Sequence, residues 1–438
     1  MTASASESRS YLRNYLSFWI FGLANNVAYV VMLTAAKDIL SDASNHSSTR
    51  STQAEGSNPL NHTLFSNPND LCLTKRNHFH CTTKSTGYVL ICNIVPALII
   101  KILAPFFIHR IPYSLRQVLL CIAQGIALLL AALSESLTMR LCGVLICSLA
   151  YGFGESSFLG LASHYDKYTI GAWSSGTGMA GIAGSMIYAS LTDDSLLDLD
   201  PRIAMFVILV PPIFVLIVTY FCIIEIPDTI RRLKISDPST WIDFKKGISN
   251  EHNIHGDSLM SKMKHLTLLY KYMIPLVIVY FTEYLINQGI HELTIFDCNH
   301  SFSKSPTEQY RWFAVCYAIG CFISRSSVNW IHSGMFSIAL MPFLQMINLI
   351  LFVINAYNPF FYHFGIAAGI VIYEGLIGGW AYANAFHHIH RKVDEKIREF
   401  ALSAVSVADA TGILIAALSA IPTHNLICDQ VYPSSSHI

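Results

Sequence analysis

Apolar runs long enough to cross a bilayer recur along the whole chain, separated by short polar punctuation. Read as helices, they fall near 15–36, 87–109, 117–133, 141–162, 172–190, 203–225, 273–292, 311–330, 335–356, 360–386 and 400–421, which makes eleven. Six precede a hydrophilic break at 226–272 and five follow it, so the pattern predicts two transmembrane halves, 15–225 and 273–421, joined by a basic linker carrying Arg231, Arg232, Lys245 and Lys246. Residues 422–438 are too polar to span and are expected to form a tail. Residues 1–14 are polar and lead into the first run without a small-residue cleavage site, which predicts a retained first span rather than a signal peptide.

Composition supports this reading. The 438 residues are 53% hydrophobic and 13% charged, with a mean hydropathy of +0.45, far more apolar than a soluble domain. The expected class is an all-α polytopic membrane protein in a lipid bilayer. Formal net charge is zero, so overall charge gives no reason to expect nucleic-acid binding. Most of the 28 Lys and Arg residues fall on one side if the N-terminus is cytosolic, as the positive-inside rule favours. In that orientation the sequons at Asn45 and Asn61, in the 37–86 loop, and at Asn299 share the opposite, luminal side. Cys72, Cys81, Cys298 and Cys428 share it too, and Cys72 with Cys81 is a candidate small disulfide that spacing alone does not establish.

Polar residues inside the spans carry the functional information, because a charged side chain at a helix centre costs about 2.5–3.5 kcal/mol on insertion scales. Tyr280, Glu283, Tyr284 and Asn287 share one face of span 7, with Gln288 beside them, and suggest either a wall of a polar cavity or a hydrogen-bonded cluster between helices. Span 1 places Asn25, Asn26 and Tyr29 similarly, as substrate contacts or as glue between helices. Lys101 in span 2 either snorkels to the interface or holds an anion. Ser174, Ser175 and Thr177 are expected in the first turn of span 5, where free N–H groups favour an anion, while Gly176, Ala180 and Gly184 make a small-residue packing face. Arg325 reads as an end-of-span anchor or a ligand counter-charge, and Gln345 in span 9 adds a further polar candidate. Glu155, Glu283 and Glu374 are candidates for proton coupling, since desolvation disfavours an ionised carboxylate.

Internal symmetry is faint but present. Asn25-Asn-Val-Ala-Tyr29 in span 1 parallels Glu283-Tyr-Leu-Ile-Asn287 in span 7, and Glu155 of span 4 has an apparent counterpart in Glu374 of span 10. With the division into six and five spans, this predicts a major-facilitator-like architecture that lacks a last helix. The histidines at 387, 388 and 390 are a poor metal site because other histidine boxes are missing, and no nucleotide loop, nucleophile elbow or paired zinc motif occurs. An enzyme and a bound cofactor are therefore not expected.

Several stretches together resemble the battenin family of lysosomal membrane proteins. They include Asn25-Asn-Val-Ala-Tyr-Val-Val-Met-Leu, Trp173-Ser-Ser-Gly-Thr-Gly, Val279-Tyr-Phe-Thr-Glu-Tyr-Leu-Ile-Asn-Gln-Gly, Ser324-Arg-Ser-Ser and Tyr373-Glu-Gly-Leu-Ile-Gly-Gly, in order along the chain. The resemblance implies a lysosomal or late-endosomal glycoprotein linked to glycerophosphodiester export, lysosomal pH, basic amino acid transport and endolysosomal trafficking. It also implies functional sensitivity at Glu283 and Arg325. Two features depart from the family: the 226–272 segment has no clean acidic dileucine signal, and the last residues form no prenylation box. The expected activity is alternating-access export of glycerophosphodiesters. Its rivals are a trafficking scaffold that recruits partners through 226–272 and a carrier for arginine.

Overall fold

The computed structural model describes residues 2–40, 85–227 and 269–431 apart from 135, 167, 194, 195, 329 and 332, together with positions 73, 74, 81, 230 and 267. Among these residues it is all helical. Eleven long helices follow one another: α1 Thr2–Thr34, α2 Gly87–Phe107, α3 Tyr113–Leu133, α4 Leu137–Ala162, α5 Tyr168–Thr192, α6 Pro201–Val218, α7 Tyr270–Leu285, α8 Pro306–Ser327, α9 Met335–Tyr357, α10 Phe364–Lys392 and α11 Glu395–Val431. Nine are long and apolar enough to cross a membrane by length and composition; α5 and α8 fall outside that group. Of these two, α5 is rich in Gly and Ser, and α8 carries Arg311 and Arg325.

Where the helices begin and end follows local chemistry. α8 starts at Pro306, before the apolar run, because Ser305 and Glu308 form a reciprocal capping box and proline suits the first turn. α5 starts at Tyr168, where the Tyr168 N–H donates to the Asp166 carboxylate, four residues ahead of the expected start at 172. α1 is helical from Thr2, so the polar stretch 1–14 is not a separate tail. α11 continues through Pro422 to Val431, so the expected polar tail after 421 begins with nearly three further helical turns. α7 ends in a π-helical turn at Ile286–Ile290 and a short 3-10 segment, His291–Leu293. Such wide turns are frequent at functional sites.

The halves repeat one another. α1 packs on α5 as α7 packs on α11, and α2 packs on α4 as α8 packs on α10. Between the halves, α5 meets α8 on one flank and α2 meets α11 on the other. Close helix crossings depend on glycine. A Cβ at Gly176 would lie 2.0 Å from the Trp19 carbonyl oxygen of α1, and one at Gly320 would lie 2.0 Å from the Ile372 carbonyl of α10. The predicted Gly176, Ala180 and Gly184 face is thus the α1 seam, with Gly184 against Val30.

One end of the bundle carries the start of α1 and is called the tail end; the other, where α1 finishes and α2 begins, is called the loop end. At the loop end Cys81 forms a disulfide with Cys428, not with Cys72, because the extension of α11 brings Cys428 beside the approach to α2. Cys298 is also disulfide-bonded. Asn299 is exposed at this end, while Asn45, Asn61 and most of 226–272 lie outside the described residues.

Gly176→Ala is expected to lower the thermal midpoint of the detergent-purified protein, at an overpacking cost of about 1–3 kcal/mol. Gly125→Ala, where an added Cβ meets nothing within 4 Å, is expected to be neutral or stabilising. Equal effects at the two positions would contradict the crossing geometry.

Candidate functional site

A cavity lies between the two halves, with about 110 Å³ open to the centres of water molecules. Since about 10–15 Å³ of such volume is the least that admits one water, the cavity has room for several. Seven tyrosines line it: Tyr29, Tyr151, Tyr280, Tyr284, Tyr310, Tyr317 and Tyr382. Asn26, Glu155, Thr177, Asn287, Gln288, His291, Arg325 and Asp409 supply the other main polar groups.

The two halves build the walls in register. Asn26, Tyr29, Val30 and Leu33 of α1 stand where Tyr284, Asn287, Gln288 and His291 stand from α7 onward, and all eight face the cavity. One residue before each set, the Asn25 side chain lies against bare Gly154 of α4 and the Glu283 carboxylate against bare Gly378 of α10. The parallel between Asn25 and Glu283 noted in the sequence is therefore structural. The same register places Gly379, not Glu374, opposite Glu155, so the expected Glu155/Glu374 correspondence fails.

Arg325 is the cation that faces the cavity without a carboxylate partner among the described residues. Its guanidinium donates to the Thr177 hydroxyl at 2.8 Å and to the Tyr280 hydroxyl at 3.2 Å, and stands 4.6 Å from the Tyr382 ring centre. All three partners are neutral, and they come from α5, α7 and α10. The end-of-span anchor reading is excluded by this inward position.

Lys101 has the opposite surroundings. Fully buried, its ammonium contacts Glu155 of α4 at 2.7 Å and Asp409 of α11 at 3.1 Å, with the Tyr151 ring centre 5.1 Å away. It does not snorkel. Nor does it offer a free charge to an anion, because two carboxylates already hold it. Tyr382 joins the two cationic sites: its hydroxyl donates to Glu155 at 3.2 Å and accepts from Trp173 Nε1 at 3.3 Å, while its ring faces Arg325.

The remaining expected residues divide clearly. Asn26, Tyr29, Thr177, Tyr280, Asn287 and Arg325 line the cavity, and so does Glu155. Asn25, Lys101, Ser174, Glu283, Gln345 and Glu374 do not. Asn25 donates to the Tyr151 carbonyl, Glu283 accepts from the Tyr317 hydroxyl, and Glu374 accepts from Asn287 at 3.2 Å. Gln345 is buried beside Asn348 on the peripheral α9. Ser174, Ser175 and Thr177 sit inside α5 rather than at its start, so no free N–H groups await an anion there; Thr177 enters the site through Arg325 instead. In the histidine cluster, His388 bonds the Tyr272 hydroxyl at 2.8 Å. The metal-like grouping of Cys81, His424 and Cys428 has its two sulfurs consumed by the disulfide.

Polar contacts bracket the cavity toward both ends. At the tail end Ser175 meets Ser326 at 2.9 Å and Tyr113 donates to Glu399 at 2.9 Å. At the loop end Arg311 pairs with Asp38 at 2.6 Å, Lys304 with Asp193 at 2.7 Å, and Tyr310 donates to Gln288 at 2.7 Å.

The CLN3 protein family model matches residues 16–430. Battenin of Canis lupus familiaris is 34% identical over 421 residues, covering 95% of this chain and 91% of its own. The chain belongs to the CLN3 family. Protein BTN1 of Yarrowia lipolytica, 32% identical over 410 residues, covers 92% of both chains. In fold, this CLN3-family member is similar to the human organic anion transporter MFSD10 (TETRAN), with a TM-score of 0.58 at 11% identity over 97% of each chain. It is also similar to a bacterial homolog of the human lysosomal transporter Spinster, with a TM-score of 0.53 at 14% identity over 94% of this chain and 82% of that one. These neighbours establish a major-facilitator-like fold.

Sequence reasoning missed Asp409 and four of the tyrosines. Asp409 was visible as an acid alone in an apolar run, a signal that by itself should have demanded a buried cation as partner. Lys101→Met is expected to cost about 3–5 kcal/mol of stability, since it strands two buried carboxylates. Lys101→Met combined with Glu155→Gln and Asp409→Asn is expected to recover much of that loss in the same thermal assay. A single Lys101→Met variant as stable as its parent would contradict the pairing.

Proposed function

We propose that this CLN3-family member is a carrier that moves anionic glycerophosphodiesters from the lysosomal lumen to the cytosol by alternating access, with the start of α1 on the cytosolic side and the loop end in the lumen. The observation that carries the reading is the contrast between two of its cations, buried Lys101 and half-buried Arg325. Lys101 is held by Glu155 and Asp409, whereas Arg325 faces the cavity with only hydroxyls and a ring around it. A desolvated guanidinium in that setting favours an oxyanion, and its planar fork suits phosphate oxygens. The surrounding tyrosine and asparagine side chains suit the hydroxyls of a glycerol head group.

Glu283 and Glu155 are the proposed proton-coupling groups, and Glu374 acts through Asn287 in support. Glycosylation at Asn45, Asn61 and Asn299, lysosomal residence and trafficking contacts at 226–272 complete the proposal. A basic amino acid carrier is the second reading, supported by the fact that two cavity-facing carboxylates, Glu155 and Asp409, share one lysine.

The test is uptake of labelled glycerophosphoinositol and of arginine into proteoliposomes containing the purified protein. Saturable glycerophosphoinositol uptake is expected, falling at least about tenfold in Arg325→Ala, equivalent to about 1.4 kcal/mol. Acidifying the side from which substrate leaves should speed the parent, and Glu283→Gln should remove that dependence. Arginine uptake alone would replace the first reading with the second; uptake of neither by folded protein would remove both.

A further inference from the structure

The hydrogen bonds of Tyr382 have a fixed direction. An indole N–H only donates, so Trp173 Nε1, 3.3 Å away, takes a lone pair of the Tyr382 oxygen and leaves the phenol's one hydrogen for another acceptor. That acceptor is Glu155 Oε1, at 3.2 Å. Trp173 is fully buried, which holds the first link in place. The relay thus runs from α5 through α10 to α4, and its last link occupies one oxygen of the carboxylate.

Glu155 Oε2 is left over. It is buried, accepts no well-directed hydrogen bond among the described residues, and meets the Lys101 ammonium at 2.7 Å. The titratable groups around Glu155 are Lys101 of α2, Tyr151 of its own helix, Tyr382 of α10 and Asp409 of α11. Of these, Lys101 alone is a cation. Asp409 offers the same ammonium both of its oxygens, at 3.2 and 3.1 Å, so Lys101 has a second carboxylate within reach.

From these directions we infer that Tyr382, oriented by Trp173, is a positioning residue: it withholds Oε1, so that a proton reaching Glu155 and the Lys101 ammonium compete for Oε2. A proton arriving from the cavity, which Glu155 lines, adds to a lone pair of Oε2 and leaves a neutral acid whose Oε1 still accepts from Tyr382. The neutral acid no longer holds the ammonium, whose pairing passes to Asp409. Because α2 and α4 belong to one half and α11 to the other, this exchange trades a tie within a half for a tie between halves. Its use in transport rests on the carrier reading above; the choice of oxygen does not.

The test is infrared difference spectroscopy of the purified protein in lipid nanodiscs, titrated from the acidity of a lysosome to that of the cytosol. Glu155→Gln identifies the carboxylic-acid carbonyl band that belongs to Glu155. In the parent this band is expected at acid pH and at a lowered wavenumber, since its carbonyl oxygen accepts a hydrogen bond. Tyr382→Phe keeps the ring beside Arg325 and removes the hydrogen, so the band is expected to move to higher wavenumber. Trp173→Phe frees the hydroxyl to turn away; it is expected to spread the band toward that higher position, and it serves should Tyr382→Phe fail to fold. Lys101→Met with Asp409→Asn, which removes the ammonium without stranding Asp409, is expected to retain the band at neutral pH. A missing Glu155 band, a band that both aromatic variants leave in place, or one that still vanishes at neutral pH without Lys101 would each overturn the assignment. No substrate enters this measurement, so a failure of uptake would remove the carrier reading alone.

Discussion

A charge inside a membrane protein must find its complement within the protein, and the Lys101–Glu155–Asp409 cluster is where that requirement binds this chain together. The ammonium comes from α2 and its carboxylates from α4 and α11, so one local need for neutrality joins the first half to the second. The glycine crossings serve the same end. They let helices approach until side chains as short as Asp409 reach across, and they let Asn25 and Glu283 lie against Gly154 and Gly378 without displacing backbone.

Around that cluster the protein sorts its polar groups by consequence. Lys101 lies behind the cavity wall, paired with two carboxylates that face the cavity. Arg325, whose partners are neutral, stands at the wall. The buried ammonium is thereby neutralised within the bundle, and the cavity-facing cation is held by hydroxyls that exchange partners readily. Tyr382 touches both sets, with its hydroxyl on Glu155 and its ring on Arg325.

Most of the fold was legible in the sequence because hydropathy at membrane thickness is a strong signal. All eleven expected spans correspond to long helices, even α5 and α8, whose composition is the least apolar. Ends were less legible. The capping box at Ser305 and the continuation of α11 past Pro422 depend on local hydrogen bonds and on packing against α2, which a hydropathy window does not sense. The site was partly legible. Polar faces on α1 and α7 pointed to the correct walls, since periodicity reports direction. Partnership was not legible: Lys101 with Asp409 and Arg325 with Thr177 join residues far apart in the chain, and pairing of that kind emerges only from the crossing of helices.

The tyrosine lining has a further consequence. A phenol both gives and takes a hydrogen bond, so Tyr29 and Tyr284 satisfy one another across the cavity at 3.3 Å, and Tyr310 is satisfied by Gln288. A chamber whose polar lining was charged throughout would be left with raw charge after releasing its contents. Here most of the polar lining is neutral hydroxyl and amide, which can pair again by turning. For a carrier, that makes the return journey without cargo as passable as the outward one.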